Sequence, residues 1–298
     1  MMNKQLINKL RYLRQMFLNS FKLKKFNCPN CDNTSNKVLE RKFLITTLRR
    51  CQNCYLMYRA PTLNEEESNK FYQKSYSQGF TSNLPSDERL NELLKTNFET
   101  TDRSYKKYLD ILDNLYDEKN LNLFDFGCSW GYGSYQLKKR GYDVKAFEVS
   151  NIRANFAKTK LNINVIDDFN TLEQDQFDIF FSAHVLEHLP NINKIISLAL
   201  KILKRGGFFV AITPNGSMIH KKNNKNWNKL WGHVHPNFLD EIFYENLFKD
   251  FEYYISSSPY HQNLIESNSN IKKVFEKQNS KYCANLEHHE LLIIVRKK

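Results

Sequence analysis

Residues 122–133 read NLFDFGCSWGYG. An apolar, β-prone run ends at Phe126, three glycines follow within seven residues, and the pattern then turns helical. This is a strand, a tight turn and a helix. Gly127 permits close backbone approach to a ligand, while Gly131 and Gly133 relieve crowding at the turn and helix start. Dinucleotide, nucleotide and purely structural turns share that form. The spacing here, Asp-x-Gly-x-Ser-x-Gly-x-Gly, differs from the dinucleotide pattern Gly-x-Gly-x-x-Gly.

Outward from this stretch, short apolar runs alternate with helical periods. Strands are expected at 121–126, 143–147, 163–166, 177–183 and 207–213, with helices near 131–140, 151–159 and 191–204. Such alternation implies βαβ units and an α/β fold with a doubly wound, mostly parallel sheet. Gly141 sits where a helix C-terminal glycine belongs, and Ser150 suits an N-cap. A helix at 239–249 and strands at 251–257 and 290–296 complete the expected domain, 119–298. Glu148, 21 residues beyond Gly127, ends the second strand. An acid there reaches ribose hydroxyls.

Five stretches now stand in order: LFDFGCSWGYG (123–133), Glu148 in AFEVS, Asp167–Asp168, FDIFFSAHVLEHL (177–189) and LKRGGFFVAITPN (203–215). In order and spacing they resemble class I S-adenosylmethionine-dependent methyltransferases, whose fold is Rossmann-like. The resemblance implies that Asp125, Gly127, Cys128 and Ser129 line the methionine and ribose region and that Glu148 holds the ribose. It places Asp168 and Phe169 at the adenine, and Ala183 and His184 beside the cofactor at the end of the fourth strand. Packing is the alternative for Phe169. Ser129 stands where these enzymes usually carry the middle glycine.

Upstream, the spacing is Cys28-x2-Cys31-x19-Cys51-x2-Cys54. Each Cys-x2-Cys turn aims two thiolates at one point, and two such turns supply the tetrahedral sulfur set of a structural Zn2+. Residues 27–60 are therefore expected to form a zinc ribbon. With residues 50–76 it resembles the leader before a bacterial subgroup of these methyltransferases, found in sugar, surface-polysaccharide and small-metabolite pathways. Residues 61–118 read as a helical connector, with Tyr72 and Tyr76 closing over the cofactor or packing.

The chain has 298 residues, 41% hydrophobic and 26% charged, which argues against wholesale disorder. No apolar run approaches the roughly 20 residues of a membrane span. Of the +12 net charge, seven cations and no acid fall in residues 1–26, so the rest carries only +5. A stable nucleic-acid complex is therefore not expected. Leu6, Leu10, Leu13, Phe17 and Phe21 make residues 1–26 a basic amphipathic helix, lying on an anionic membrane surface or docked on the body. Without a signal-peptide core, the expected compartment is the cytoplasm, with the inner face of the membrane as a peripheral site.

Methyl transfer to a hydroxyl or carbon acid needs a base near the C-terminal ends of the strands. Two places offer one. His188 follows the fourth strand as a base or a helix cap, and its neighbour Glu187 orients it or is itself the base. His233 and His235 in GHVHP (232–236) suit a base, a donor to substrate, a metal pair or a solvated loop. Trp227 and Trp231 make a lid or a local staple. The expected reaction is methylation at O or C of a small, sugar-like acceptor such as a glycan precursor. An RNA methyltransferase and a silent cofactor-binding scaffold are the alternatives.

Overall fold

The computed structural model describes residues 4–64, 66–67, 83–118, 120–232, 234–258, 271–276 and 280–298, with side chains outside it at 4–11 and 271–273. Tyr72, Tyr76 and His233 lie outside the described residues. The N-terminal helix α1 runs Lys4–Ser20, and the strands β1 (Asn36–Lys42), β2 (Thr46–Cys51) and β3 (Met57–Ala60) follow as an antiparallel meander. Two connector helices are α2 (Asp87–Lys95) and α3 (Lys106–Asp113).

The larger unit alternates as its sequence implies: β4 (Asn122–Phe126), α4 (Tyr132–Arg140), β5 (Asp143–Phe147), α5 (Asn151–Leu161), β6 (Asn164–Ile166), β7 (Phe177–Ala183), α6 (Ile192–Ile202) and β8 (Leu203–Pro214). After α7 (Met218–Asn223) come β9 (Asn237–Phe238), α8 (Glu241–Leu247), β10 (Glu252–Ser257), α9 (Ile271–Glu276), β11 (Lys281–Cys283) and β12 (Glu290–Arg296). The eight-stranded order is β11-β10-β12-β8-β7-β4-β5-β6. Strands β6, β5, β4, β7 and β8 are mutually parallel, and β12 enters antiparallel between β8 and β10. This is the Rossmann-like α/β architecture. Strand β8 starts four residues before the expected run, because Leu203 already pairs with Phe177 across a register shift.

Alternate residues of the buried strands face opposite cores. Phe180, Phe209 and Ala211 pack on one side with α6 and α8, and Ile179, Phe181, Val210 and Ile212 on the other with α3. Burial on both faces explains why these strands read as continuous apolar runs. Gly141 ends α4 at φ +110. Ser150 occupies the N-cap position of α5, but its hydroxyl caps nothing; its N–H goes instead to Glu148.

Two features of the connections position the site. The connector buries Leu90, Leu93 and Phe98 against Trp130 and Ala157, over the glycine turn. Strand β9, only two residues long, pairs with β3, so the N-terminal sheet reads β1-β2-β3-β9 and takes its last strand from the C-terminal half. Trp227 and Trp231 are 1% and 3% exposed and pack with Leu48, Met57 and Phe238. They staple the loop to that sheet.

Candidate functional site

The turn after β4 is built around two backbone exceptions. Gly127 has φ +90, and a Cβ there would stand 2.3 Å from Val185 Cγ2. Ser129 has φ +53, a left-handed conformation that the usual glycine adopts freely and a serine adopts only under constraint. The constraint is Glu148: its Oε2 accepts the Ser129 N–H at 3.0 Å and its Oε1 the Ser150 N–H at 2.8 Å. The Gly127 and Cys128 N–H groups both donate to the Phe147 carbonyl, at 2.8 and 3.0 Å. One strand end thus folds the turn of the other. Glu148 is 9% exposed, and burial pushes its carboxyl up.

Asp125 and Cys128 are buried, each 2% exposed. Asp125 accepts the Ser134 hydroxyl at 2.6 Å, tying β4 to α4, and burial raises its carboxyl to about 7. Cys128 packs with Trp130 and Ala146. Asp168 is exposed; its Oδ1 accepts the Asn170 backbone N–H and side-chain amide, while Oδ2 takes part in neither bond. Phe169 is half-buried and stands edge-on to Phe147, centroids 4.8 Å apart. Ala183 ends β7, half-buried, and His184 follows at φ +57. Tyr105, which the sequence shows only as part of an apolar stripe, sits where a Cβ on Gly133 would come within 2.1 Å of its ring.

The two candidate base sites are one site. His188, from the turn after β7, and His235, from a later loop, meet with ring centroids 4.9 Å apart and planes tilted by 49°. His188 Nδ1 lies 2.7 Å from the Val234 carbonyl and His235 Nδ1 2.7 Å from the Leu230 carbonyl. A carbonyl only accepts, so both Nδ1 atoms carry hydrogen, and in neutral His188 the lone pair is on Nε2. Glu187 is 1% exposed, with one oxygen 3.8 Å from His188 Nε2 and 3.7 Å from His184 Nδ1. Neither carboxylate oxygen has a hydrogen-bond partner among the described residues. One ligand atom each from Glu187, His188 and His235 lies within 4.8 Å of the others.

The electrostatics divide the histidines. Burial works against the charge of His184, but the hydrogen bond to Glu290 and the nearby charges of Glu187 and Glu290 prevail and hold it at about 9. Its Nε2 is 3.0 Å from Glu290 Oε1, whose other oxygen pairs with Lys107 at 2.6 Å. Burial favours neutral Glu187, yet the surrounding imidazoles pull it down to about 2. Burial pushes His188 below its ordinary value. An ionised carboxylate therefore faces one charged and one neutral imidazole. Glu290, Lys107 and Tyr108, whose hydroxyl is 3.4 Å from His184 Nε2, were missed by sequence reasoning. The available signal was a lone acid opening the apolar run ELLIIV (290–295).

The four cysteines of the N-terminal module also converge. Cys28 and Cys54 Sγ are 3.5 Å apart, Cys31 and Cys51 Sγ 3.6 Å, and all four lie within 4.8 Å of one another. A tetrahedron of Zn–S bonds of about 2.3 Å has sulfurs about 3.8 Å apart, so the set fits zinc.

Residues 98–258 match the family described as methyltransferase domain. The ubiquinone biosynthesis O-methyltransferase of Pelagibacter ubique is 27% identical over 107 residues, 34% of this chain and 45% of that protein. The Coxiella burnetii protein of the same name is 33% identical over 107 residues, 33% and 46%. The chain spans about half the length of the curated relatives it matches. Phosphoethanolamine N-methyltransferase 2 of Haemonchus contortus, solved with S-adenosyl-L-methionine, superposes at TM-score 0.52 and 15% identity, over 81% of this chain and 61% of that one, a likeness of fold. A family match over more than half the residues, laid on a sheet of this order with its glycine turn at the centre, shows that the chain belongs to the methyltransferase-domain family.

Proposed function

We propose that this chain transfers the methyl group of S-adenosylmethionine to a hydroxyl oxygen of a small acceptor, with Glu187, His188 and His235 managing the proton. One observation carries the reading: two imidazoles whose Nδ1–H groups donate to carbonyls stand with Glu187 in a cluster just beyond β7, and the Nε2 lone pair of neutral His188 can accept a hydroxyl proton beside that carboxylate. S-adenosylmethionine, when bound, supplies an electrophilic methyl and a neutral thioether leaving group. Gly127, Ser129 and Glu148 would hold it, with Phe169 beside the adenine. His188 Nε2 takes the acceptor's hydroxyl proton as the C–O bond forms, and Glu187 stabilises the resulting imidazolium. His184, already cationic, supports the developing oxyanion. A sugar-like acceptor suits this chemistry, as does a phenolic one.

The test is turnover on a panel of sugar nucleotides and phenols, with product NMR locating the new methyl. His188→Ala and His235→Ala should each lower kcat about 10²- to 10⁴-fold, the range of general-base catalysis, with cofactor affinity retained. Wild-type turnover in both variants defeats the base assignment, and a C-methyl product defeats the oxygen assignment.

A second reading rests on the spacing of the same three donor atoms and on the unpartnered Glu187 oxygens. They suit a divalent cation that acidifies the acceptor hydroxyl. Dialysis against EDTA, with cysteine-bound zinc quantified separately, distinguishes the two: full activity in metal-free buffer supports the base. For the cysteine set we assign structural Zn2+, supported by the sulfur spacing. About one zinc per chain, lost in Cys51→Ser, is the expected result.

A further inference from the structure

Helix α1 faces the body with an unexpected side. Its described contacts are made by Tyr12, Met16 and Asn19, all at most 9% exposed. The anchor is Arg59 of β3, fully buried, whose Nη1 lies 3.1 Å from the Tyr12 hydroxyl and 3.3 Å from Met16 Sδ, with the guanidinium 5.6 Å from the Tyr12 ring. At about 100° per residue, positions 12, 16 and 19 share one face, and 14, 17 and 18 lie around the opposite one. Of the apolar stripe read from the sequence, Leu13 is half-buried and Phe17 and Phe21 turn outward. Phe17 is 52% exposed, Leu18 53%, Phe21 72% and Leu23 86%. Phe17 and Phe21 pack edge to face on each other, centroids 5.1 Å apart. Arg14, Lys22 and Lys24 are exposed beside them, and no acid occurs in residues 1–26.

We propose that this ridge docks on an anionic lipid bilayer. Phe17, Leu18, Phe21 and Leu23 enter the boundary between headgroups and acyl chains, and Arg14, Lys22 and Lys24 meet the headgroup charges. Charge complementarity selects this occupant. A ridge with three cations and no carboxylate matches a negative surface, whereas two copies joined through it would bring six cations together. The orientation is built in, because the Arg59 anchor holds the helix by the face that remains.

The full-length protein is sedimented with vesicles of phosphatidylcholine alone and of phosphatidylcholine mixed with phosphatidylglycerol. Binding to the mixed vesicles only, weakening as salt rises, is expected. Lys22→Ser with Lys24→Ser should weaken it about thirtyfold, at about fivefold per cation. Phe17→Ser with Phe21→Ser should abolish it, with thermal midpoint and calorimetric cofactor binding unchanged. Failure of the wild type to bind mixed vesicles overturns the proposal, as does equal binding by the phenylalanine double variant. Self-association in sedimentation velocity that this variant abolishes, without vesicle binding, overturns it in favour of a second copy.

Discussion

Replacing Gly127 with alanine tests how the cofactor turn and the acceptor segment are joined. The residue sits at φ +90, and the added Cβ would lie 2.3 Å from Val185 Cγ2 and 3.0 Å from Cγ1. A left-handed backbone costs an L-residue about 1–2 kcal/mol. Forcing a methyl into a packed site costs about 1–3 kcal/mol more. The sum, about 2–5 kcal/mol, should lower the thermal midpoint by about 4–20 °C at about 2–4 °C per kcal/mol. Relief comes only by moving Val185, which lies between His184 and the Leu186–Glu187–His188 turn, so kcat should fall along with cofactor affinity. The assay is a double-mutant cycle read by calorimetry with S-adenosylmethionine and by melting. Val185→Ala removes both clashing carbons, so Gly127→Ala should be milder in that background by about 1–3 kcal/mol. Additive effects would mean that the turn and the segment are independent, and the reasoning would be wrong.

Glu148→Gln keeps the shape but turns an amide donor toward backbone N–H groups that now reach a carboxylate; hydrogen bonds to a charged group are worth about 1.5–3 kcal/mol each, so calorimetry should show cofactor affinity down about 100-fold. As the proposed base, His188 would act when neutral, and burial lowers its pKa, so kcat/KM should be flat near neutrality and fall as pH drops through a midpoint below 6.5; His188→Gln should erase that limb. His184 is raised from 6.5 to about 9 in the folded chain, so its contribution is complete below pH 6.5 and lost as pH climbs through 9. Melting scans should show that decline, and His184→Asn should flatten it.

Much of the parallel sheet was legible because strands buried on both faces leave apolar runs that alternate with helices, and Glu148 was legible because the βαβ unit places the second strand's end beside the first turn. Pairings made at long range were not. His188 meets the loop of His235 through the Val234 carbonyl 46 residues away, and His184 meets Glu290 106 residues away. No periodicity encodes such encounters, which depend on loop paths. Strand β9 is too short to leave a pattern. The docking face of α1 is held by a buried Arg–Tyr contact, and its apolar side, the visible one in sequence, is the side it leaves free.

The pairing of β9 with β3 gives the small sheet a reach beyond its own residues. The Arg59 N–H donates to the Pro236 carbonyl at 2.7 Å, one residue from His235, and Met57 and Tyr58 pair with Phe238 and Asn237. The cysteine module and the loop of the proposed base are thus joined through one short strand pair. Loss of zinc is therefore expected to lower kcat through the His235 loop while calorimetric cofactor affinity at Glu148 stays unchanged.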